Sequence, residues 1–390
     1  MSKVLIFSDK TFPGYVESSI SKMNGAIVCT ANELGRALLE DYDVFVNIHG
    51  SHFPLSAVAA YYKFLQKGKG YVQCFGAPLE YVYSIDENGE YVCGNKQMSY
   101  YRKLNIHSVL PVMQADVVDF KDNIENKVAS GLCDALENEE TLNFILTPTK
   151  DAYVEEEWGS IGSMDSYIRP LVLGMDNKGQ HISSPVVLME NRAGDYAGSR
   201  WIFVNAGLKA EAYDKLDAYI APLAEFVAAG HREITVKPSY AMYEVGEKPV
   251  IALAAQNFAK VSDWQVTMKV YGNVGAEEKE LWSDTIAVRG QNFPSQVNVV
   301  PKVDVTGGIY KVVTEWTSED GEKQCIIQGF CVRDEAVLKS LEPVKCTKDY
   351  FVIDGKIEGL SGVINSLSAV IPKKFAEPTS SILVCVAGSK

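Results

Sequence analysis

The chain has 390 residues, 47% of them hydrophobic and 22% charged, and its formal net charge is −13. This length exceeds one ordinary hydrophobic core, so we expect two or three domains, and the composition excludes wholesale disorder. The net negative charge would repel the phosphate backbone of a nucleic acid, so we expect no nucleic-acid partner. No stretch reaches the roughly 18 consecutive apolar residues of a membrane-spanning helix, so we expect no membrane partner either.

Three short apolar runs open the chain, at Val4 to Phe7, Ala26 to Cys29 and Val44 to Ile48. Continuous hydrophobicity is typical of strands that are covered on both faces, as in a parallel sheet with crossover helices. The first run begins almost at Met1, without the basic region and cleavage site of a signal peptide, so we expect a cytoplasmic protein.

One helix is predicted between the second and third strands, and another between the third strand and a fourth. The first runs from Asn32 to Leu39 with Asn32 as its N-cap, and the second runs from Leu55 to Gln66. Gly68 and Gly70 follow the second helix and precede a fourth strand at Tyr71 to Cys74. The order β-α-β-α-β predicts a flavodoxin-like, doubly wound parallel sheet.

Ligands of such sheets bind beyond the carboxyl ends of the strands, near the point where strand order reverses. This rule selects four loops. They contain Asp9, Thr30, the run His49-Gly50-Ser51-His52, and the run from Cys74 to Pro78.

The runs Asp43 to Pro54, Phe64 to Val72 and Gly76 to Pro78 resemble a class I glutamine amidotransferase-like domain. Within that superfamily they are most similar to the noncatalytic versions attached to glycoside hydrolases, such as the β-galactosidase trimerisation domain. The segment Gly194 to Val204 resembles these glycosidase-linked domains as well. The resemblance implies an α/β domain beside a carbohydrate-active enzyme.

Catalytic members of that superfamily place a cysteine nucleophile on a tight strand-to-helix turn flanked by glycines. Cys74 stands near that position and Gly76 follows it, but Gln73 replaces the small flanking residue and no later His-x-Glu motif exists to activate a thiol. An unassisted thiol is mostly protonated at neutral pH, so a buried cysteine at the end of the strand is the favoured interpretation of Cys74.

His49, His52 and Asp9 are the other reactive candidates. The two histidines form an H-x-x-H pair, and Asp9 would be a third ligand of a metal ion, yet histidines that shape the loop are favoured. We therefore expect no metal and no cofactor. Cys74, His49 and Asp9 remain weak catalytic candidates, and the weak ligand-binding candidates are His49, Gly50, His52 and Gly76.

The stretch from Ser99 to Arg232 is less regular. Its predicted elements are three strands and a closing helix: Asn143 to Pro148, Val186 to Glu190, Trp201 to Asn205, and Ala212 to Ala229. Glu155 to Glu157 would supply carboxylates for acid-base chemistry, but a solvated loop is favoured for such a charge run. Arg200 and Trp201 would touch a sugar or, as we favour, pack in the core.

The hydrophobic pattern of the sequence changes after Glu233, from mixed helical and strand-like segments to strand-like segments alone. Seven strand-like runs predict an immunoglobulin-like β-sandwich: Ile234 to Val236, Val250 to Gln256, Gln265 to Tyr271, Leu281 to Val288, Gln296 to Val300, Ile309 to Trp316 and Gln324 to Val332. We expect Trp264, at the start of the third run, to fill the space between the two sheets.

The tail contains a predicted strand-turn-strand from Asp349 to Lys356, with Asp354-Gly355 as the hairpin turn. It resembles the lead-in to a catalytic TIM barrel, but only 34 residues follow Lys356, far fewer than a barrel of roughly 200 residues needs. We therefore expect a truncated or frameshifted, partly disordered tail. The predicted domains are residues 1 to 232, 233 to 334 and 335 to 390.

Three hypotheses about function follow. The leading one is a noncatalytic N-terminal region of a glycoside hydrolase-like protein, which positions, oligomerises or binds carbohydrate. Its rival is an enzyme of the amidotransferase-like superfamily that uses Cys74 or His49 with Asp9 on an amide or a small sugar. The third is a purely structural oligomerisation module. A carbohydrate and a second copy of the chain are thus the expected partners.

Overall fold

The computed structural model describes residues 2–13, 15–123, 128–137, 140–147, 164–258, 261–272, 278–319, 321–333, 341–345 and 351–355. The chain divides into two compact units. Unit 1 comprises Met1–Glu233, Gln256–Ser262 and Gly290–Phe293, and unit 2 comprises Ile234–Ala255, Asp263–Arg289 and Pro294–Lys390. The first is mixed α/β and the second is rich in β-structure.

Unit 1 contains thirteen strands among the described residues. They are β1 Val4–Phe7, β2 Ala26–Cys29, β3 Val44–Asn47, β4 His52–Pro54, β5 Gly70–Cys74, β6 Tyr81–Ile85, β7 Tyr91–Cys93, β8 Ile106–Val112, β9 Asp119–Asp122, β10 Thr141–Leu146, β11 Ser166–Met175, β12 His181–Asn191 and β13 Arg200–Val204. Eight of them form one sheet in the order β2-β1-β3-β5-β13-β12-β11-β9, while β8 pairs with β10 and β6 lies between β4 and β7. Strands β2, β1, β3, β5 and β13 run parallel, and the remaining three continue the main sheet antiparallel.

Helices cover this sheet. The α-helices are α1 Ala31–Ala37, α2 Val58–Leu65, α3 Ser99–Arg102, α4 Leu132–Ala135 and α5 Leu216–Ala228, and short 3-10 helices span Ser19–Lys22, Leu55–Ala57, Gln114–Asp116, Gly194–Tyr196 and Ala210–Lys215. The prediction that Asn32 caps the first helix was wrong. Thr30 is the N-cap because its main-chain amide donates to Oε2 of Glu33 at 3.0 Å, as in a capping box.

Side chains of the parallel strands alternate between two cores. Leu5, Phe7 and Phe45 point to a core shared with α1 and α2, whereas Ile6 and Val46 point to a core shared with α5. Both faces of β1 and β3 are therefore buried, which explains their continuous apolar runs, whereas the edge strand β2 leaves Ile27 and Val28 exposed.

The strands from β14 onward account for the β-rich character of unit 2. They are β14 Arg232–Pro238, β15 Met242–Glu244, β16 Ile251–Asn257, β17 Ser262–Gly272, β18 Lys279–Gln291, β19 Val297–Val299, β20 Gly308–Thr317 and β21 Lys323–Arg333. Seven of them correspond to the seven predicted runs, and β15 was missed. Trp264 is buried and stacks on Trp316, with ring centroids 4.0 Å apart.

The hairpin predicted in the tail was misplaced. Strand β22, Leu341–Lys345, pairs antiparallel with β23, Phe351–Gly355. Gly355 lies opposite Leu341, so Asp354-Gly355 belongs to a paired strand and forms no turn, because the upstream run supplies the partner strand. The other residues of the predicted tail lie outside the described residues.

Within the described ranges, no helix has the length and apolar character that crossing a membrane requires.

Candidate functional site

A cavity of about 410 Å³ lies at the carboxyl ends of β1, β3 and β5 in unit 1. It is lined by Phe12, Pro13, Tyr15, Val16, Ser18, Ile48, His49, Gly50, Ser51, His52, Phe75, Tyr81, Tyr213 and Leu216. The predicted loops after β3 and β5 both contribute. The sequence reasoning missed the loop from Phe12 to Ser18, which carries no periodic pattern, and it missed Tyr213 near the start of α5.

Asp9 is 3% exposed and does not line the cavity. Its Oδ1 accepts hydrogen bonds from the amide and the hydroxyl of Thr11 at 3.0 and 2.6 Å, and its Oδ2 accepts one from the amide of Ala31 at 2.9 Å. Burial alone would raise the pKa of Asp9, but these bonds outweigh it and hold the pKa below its usual value. The carboxylate ties the loop after β1 to the start of α1.

His49 lines the cavity, and its ring packs 4.4 Å from Phe7 and 5.2 Å from Phe12, measured between ring centroids. The main-chain amide of Asp9 donates to His49 Nε2 at 2.7 Å. Burial lowers the pKa of His49 to about 4, and the nearby Asp9 carboxylate opposes that shift only in part. The ring is therefore neutral at pH 7, and the lone pair of Nε2 is already occupied.

Cys74 is the last residue of β5 and is fully buried. Its side chain belongs to the core on the α5 side of the sheet, and it does not line the cavity. Burial raises the pKa of its thiol to about 12, so the thiolate is scarce near neutral pH.

Phe75 follows Cys74 and has a φ of 67°, a left-handed conformation that a bulky side chain rarely adopts. Its amide donates to the carbonyl of Val204 at 2.8 Å, which keeps the turn joined to β13. Its ring lies 5.8 Å from that of Tyr213, and both rings line the cavity. The turn thus presents an aromatic ring to the cavity, not the neighbouring thiol.

Gly50 and Gly76 allow the loops after β3 and β5 to approach closely. A Cβ on Gly50 would lie 2.6 Å from the carbonyl oxygen of Phe75, and a Cβ on Gly76 would lie 2.4 Å from Oγ of Ser51. Both glycines also have positive φ angles, of 63° and 136°. A larger residue at position 50 would collide with the main chain of Phe75, and one at position 76 would displace the Ser51 side chain.

Two buried amides hold these loops, and the sequence reasoning missed their role. Asn47 and Gln73 are paired neighbours on β3 and β5, and Asn47 Nδ2 donates to Gln73 Oε1 at 2.9 Å. Gln73 Nε2 donates to the carbonyl of Gly50 at 2.6 Å and to that of Gly76 at 3.3 Å. The available signal was an amide within the last two residues of each of two otherwise apolar strands.

His52 stacks on Tyr81, with ring centroids 5.1 Å apart and an interplanar angle of 17°. Burial lowers the pKa of His52, although the charge of Glu80 opposes the shift. The described residues that line the cavity include no aspartate, glutamate, lysine or arginine. Because both histidines favour the neutral form, the cavity presents no fixed charge at pH 7.

Among the described residues, no group of three or more histidine, cysteine, aspartate or glutamate side chains is arranged to hold a metal ion. The predicted acidic run Glu155 to Glu157 lies outside the described residues.

Unit 1 also contains an ionic group around the buried Glu190, which we call the Glu190 cluster: Glu190, Arg169, Arg200, His231 and Glu233. Glu190 Oε1 accepts from Arg200 Nε at 2.9 Å and pairs with His231 Nδ1 at 3.1 Å, while Oε2 accepts from Arg169. His231 Nε2 lies 3.3 Å from Oε2 of Glu233. Arg200 and the adjacent Trp201 are fully buried, so both pack in the interior.

Burial alone would raise the pKa of Glu190, but the hydrogen bond from His231 and the charges of Arg200 and Arg169 hold it far below its usual value. Burial would lower the pKa of His231, yet its hydrogen bonds to Glu190 and Glu233 raise it above the usual value. The cluster therefore stabilises a charged state of both side chains. It lines no part of the cavity.

No family model matches the chain, and no curated protein matches it. The solved structures that match include a cold-adapted β-galactosidase from Rahnella sp. R3, at 11% identity over 77% of this chain and 41% of that chain, with a TM-score of 0.33. A β-galactosidase from Bacillus circulans sp. alkalophilus matches at 10% identity over 76% and 41%, with a TM-score of 0.31. A ThuA-like protein from Bacteroides uniformis matches at 14% identity over 58% and 91%, with a TM-score of 0.30.

The chain spans about two-fifths of the length of the two β-galactosidases. These identities and TM-scores establish no family for the chain.

Proposed function

We propose that the chain is a noncatalytic, carbohydrate-associated region of a glycoside hydrolase-like protein, and that its cavity binds a neutral, sugar-sized ligand without chemical change. One observation carries the proposal. The left-handed residue at the end of β5 is Phe75, which lines the cavity, whereas Cys74 is buried in the core. In a catalytic amidotransferase-like domain this turn would present the nucleophile.

The state of His49 supports the same conclusion. A general base needs a free lone pair and a pKa near the working pH. His49 Nε2 already accepts a hydrogen bond from Asp9, and the pKa of His49 is about 4. The Asp9 carboxylate is likewise engaged with Thr11 and Ala31, so the three weak catalytic candidates do not form a nucleophile with its base.

The cavity lining favours a neutral ligand with one apolar face. A cavity of about 410 Å³ falls within the range of small-molecule sites, roughly 300 to 1,000 Å³. Because no fixed charge lines it, a charged ligand would lose hydration without gaining a counter-charge. Phe75 and Tyr213 offer apolar surface, and Ser51 and the histidines offer hydrogen-bonding groups. A carbohydrate ring combines an apolar face with a polar edge and fits this lining.

We assign a flavodoxin-like, glutamine amidotransferase-like domain to residues 1 to 232 and an immunoglobulin-like sandwich to residues 233 to 334. The parallel order β2-β1-β3-β5-β13 supports the first assignment, and the strand-rich unit 2 with its own buried core, which includes Trp264 and Trp316, supports the second. In this proposal the two domains position a catalytic partner or a second copy of the chain.

The test combines turnover with binding. The full chain is incubated with nitrophenyl glycosides and with glutamine, and titrated calorimetrically with free hexoses and disaccharides. We expect no turnover, and we expect saturable binding of at least one sugar that Phe75→Ala weakens by about tenfold or more. Phe293→Ala is the matched control, since Phe293 is 85% exposed and lies outside the cavity lining.

Turnover that is abolished by Cys74→Ser or by a single histidine substitution would overturn the proposal and favour the enzyme. The absence of binding by every sugar of the panel would also overturn it.

A further inference from the structure

Asparagine is followed directly by glycine at two exposed turns of unit 1, at Asn24-Gly25 and at Asn88-Gly89. This pair is the one most prone to spontaneous deamidation, because glycine has no Cβ to shield its amide nitrogen from the asparagine side chain. The two dipeptides are chemically alike. A difference between their reactivities in the folded protein therefore comes from the structure around each of them.

The turn at Asn24-Gly25 joins the 3-10 helix Ser19–Lys22 to β2. The amide of Ala26 donates to the carbonyl of Met23 at 3.3 Å, and Gly25 has a φ of 76°, as at the third position of a type II turn. Among the described residues, neither the Asn24 side chain nor the Gly25 amide makes a hydrogen bond. The nitrogen that would attack and the carboxamide that it would attack are both free to approach each other.

The turn at Asn88-Gly89 joins β6 to β7 and is held much more firmly. The Gly89 amide donates to the Asp86 carbonyl at 3.1 Å, and the Asn88 amide donates to Oδ1 of Asp86 at 2.9 Å. The amide of Glu90 also donates to Oδ1 of Asp86 at 2.9 Å, and the Asp86 amide donates to the carbonyl of Glu90 at 3.0 Å. The proton of the Gly89 amide is thus engaged, and the carboxylate of Asp86 opposes its loss.

We propose that Asn24 is a site of spontaneous deamidation in the folded protein and that the turn of Asn88 protects it from the same reaction. The Gly25 nitrogen loses its proton and attacks Cγ of Asn24. The N–Cγ bond forms, the Cγ–Nδ2 bond breaks, and ammonia leaves. Water then opens the resulting succinimide: hydrolysis of the N–Cγ bond gives aspartate, and hydrolysis of the bond to the main-chain carbonyl carbon gives isoaspartate. Water is the only co-reactant.

The modification changes the charge and the main chain immediately before β2. Both products add a negative charge at position 24, and isoaspartate also inserts a methylene group into the main chain. Ala26 follows two residues later and pairs with Val4 of β1. Because β2 lies at the edge of the sheet beside β1, isoaspartate should weaken this pairing and leave the inner strands in place. The inference does not depend on what the cavity binds.

The experiment follows both sites in one sample of the full chain, incubated at pH 8 and at pH 6, in buffer and in urea that unfolds the protein. Peptide mass spectrometry measures the deamidated fraction, and electron-transfer fragmentation distinguishes aspartate from isoaspartate. In the folded chain at pH 8 we expect Asn24 to react about five to ten times faster than Asn88, since the hydrogen bond of Gly89 must first break. In urea the two rates should become equal. At pH 6 both should fall, because the attacking nitrogen must lose a proton.

Two variants complete the test. Asn24→Gln has a side chain too long to close the succinimide ring readily, so it should abolish the reaction at position 24 and leave the rate at Asn88 unchanged. Asp86→Ala removes the carboxylate that accepts from the amides of Asn88 and Glu90, and it should raise the rate at Asn88 about threefold or more without changing that at Asn24. Equal rates at the two sites of the folded chain, or a faster reaction at Asn88, would overturn the inference. An unchanged rate at Asn88 in Asp86→Ala would overturn it as well.

Discussion

The main-chain amide of Asp9 and the imidazole of His49 are joined by a hydrogen bond of 2.7 Å in which Nε2 is the acceptor. Protonation of that nitrogen would break the bond and leave a charge beside Phe7 and Phe12. The folded protein therefore resists protonation of His49, and its loop after β1 depends on the neutral ring.

Folding stability should decrease as the pH falls from about 6.5 to about 4, because His49 is protonated more readily in the unfolded chain than in the folded protein. Its pKa in the folded protein is about 4 against a usual value of 6.5, so the unfolded chain binds more protons in this window. The expected loss is on the order of 2 to 3 kcal/mol. Urea denaturation at pH 7, 6, 5 and 4 measures it. His49→Gln should flatten this dependence, whereas His181→Gln, at an exposed position, should not. An unchanged slope in His49→Gln would contradict the assigned state of His49.

The Cys74 thiol should resist alkylation in the folded protein. It is fully buried and its pKa is about 12, whereas Cys93 and Cys325 are exposed and serve as internal controls. Iodoacetamide at pH 8 followed by peptide mass spectrometry should show modification of Cys74 at least about tenfold slower than that of the two exposed cysteines. Equal rates would favour the enzyme hypothesis.

Glycine should be tolerated better than alanine at position 75. Both substitutions remove the ring that faces Tyr213, but only glycine adopts a φ of 67° without strain. We expect Phe75→Gly to be more stable than Phe75→Ala by about 1 kcal/mol in chemical denaturation. The control is Ala59→Gly on the exposed side of α2, where glycine should lower stability by about 0.5 to 1 kcal/mol. A lower stability of Phe75→Gly would show that the turn is not strained.

Neutralising Glu190 should strongly destabilise the protein. Glu190→Gln removes the carboxylate that the fully buried Arg200 and His231 share, although His231 keeps its contact with Glu233, and breaking a buried pair costs about 3 to 5 kcal/mol. Thermal and urea unfolding measure the loss. Glu87→Gln, at an exposed position, should change stability by less than about 0.5 kcal/mol.

The stability lost in Glu190→Gln should also depend on pH. Because the pKa of His231 is raised, its ion pair contributes fully below the unfolded pKa and disappears as the pH rises through the folded value. The destabilisation by Glu190→Gln should therefore be larger at pH 6 than at pH 9. The opposite order would place a neutral His231 in the folded protein.

Much of the α/β architecture was predictable from local patterns. The first two predicted strands match β1 and β2 residue for residue, and the third and fourth match β3 and β5 within one residue. Strands β1, β3 and β5 are buried on both faces and must therefore be continuously apolar, whereas the edge strand β2 is partly exposed. The N-cap of α1 was misplaced by two residues, since Thr30 and Glu33 form a capping pair that leaves Asn32 inside the helix. The predicted hairpin turn at Asp354-Gly355 was wrong. The dipeptide signals a turn only locally, whereas the pairing of β22 with β23 depends on a strand earlier in the chain.

The amino-acid sequence determined the α/β character of the first part, the β-rich character of the second and two of the loops that line the cavity, those after β3 and β5, because periodicity and strand ends are local properties. The tertiary structure alone decided that Phe75 faces the cavity while Cys74 faces the core. It also decided the proton position of His49 and the role of Gln73. These depend on hydrogen bonds between residues 40 and 26 positions apart, Asp9 with His49 and Asn47 with Gln73, and such partners are chosen only when the sheet forms.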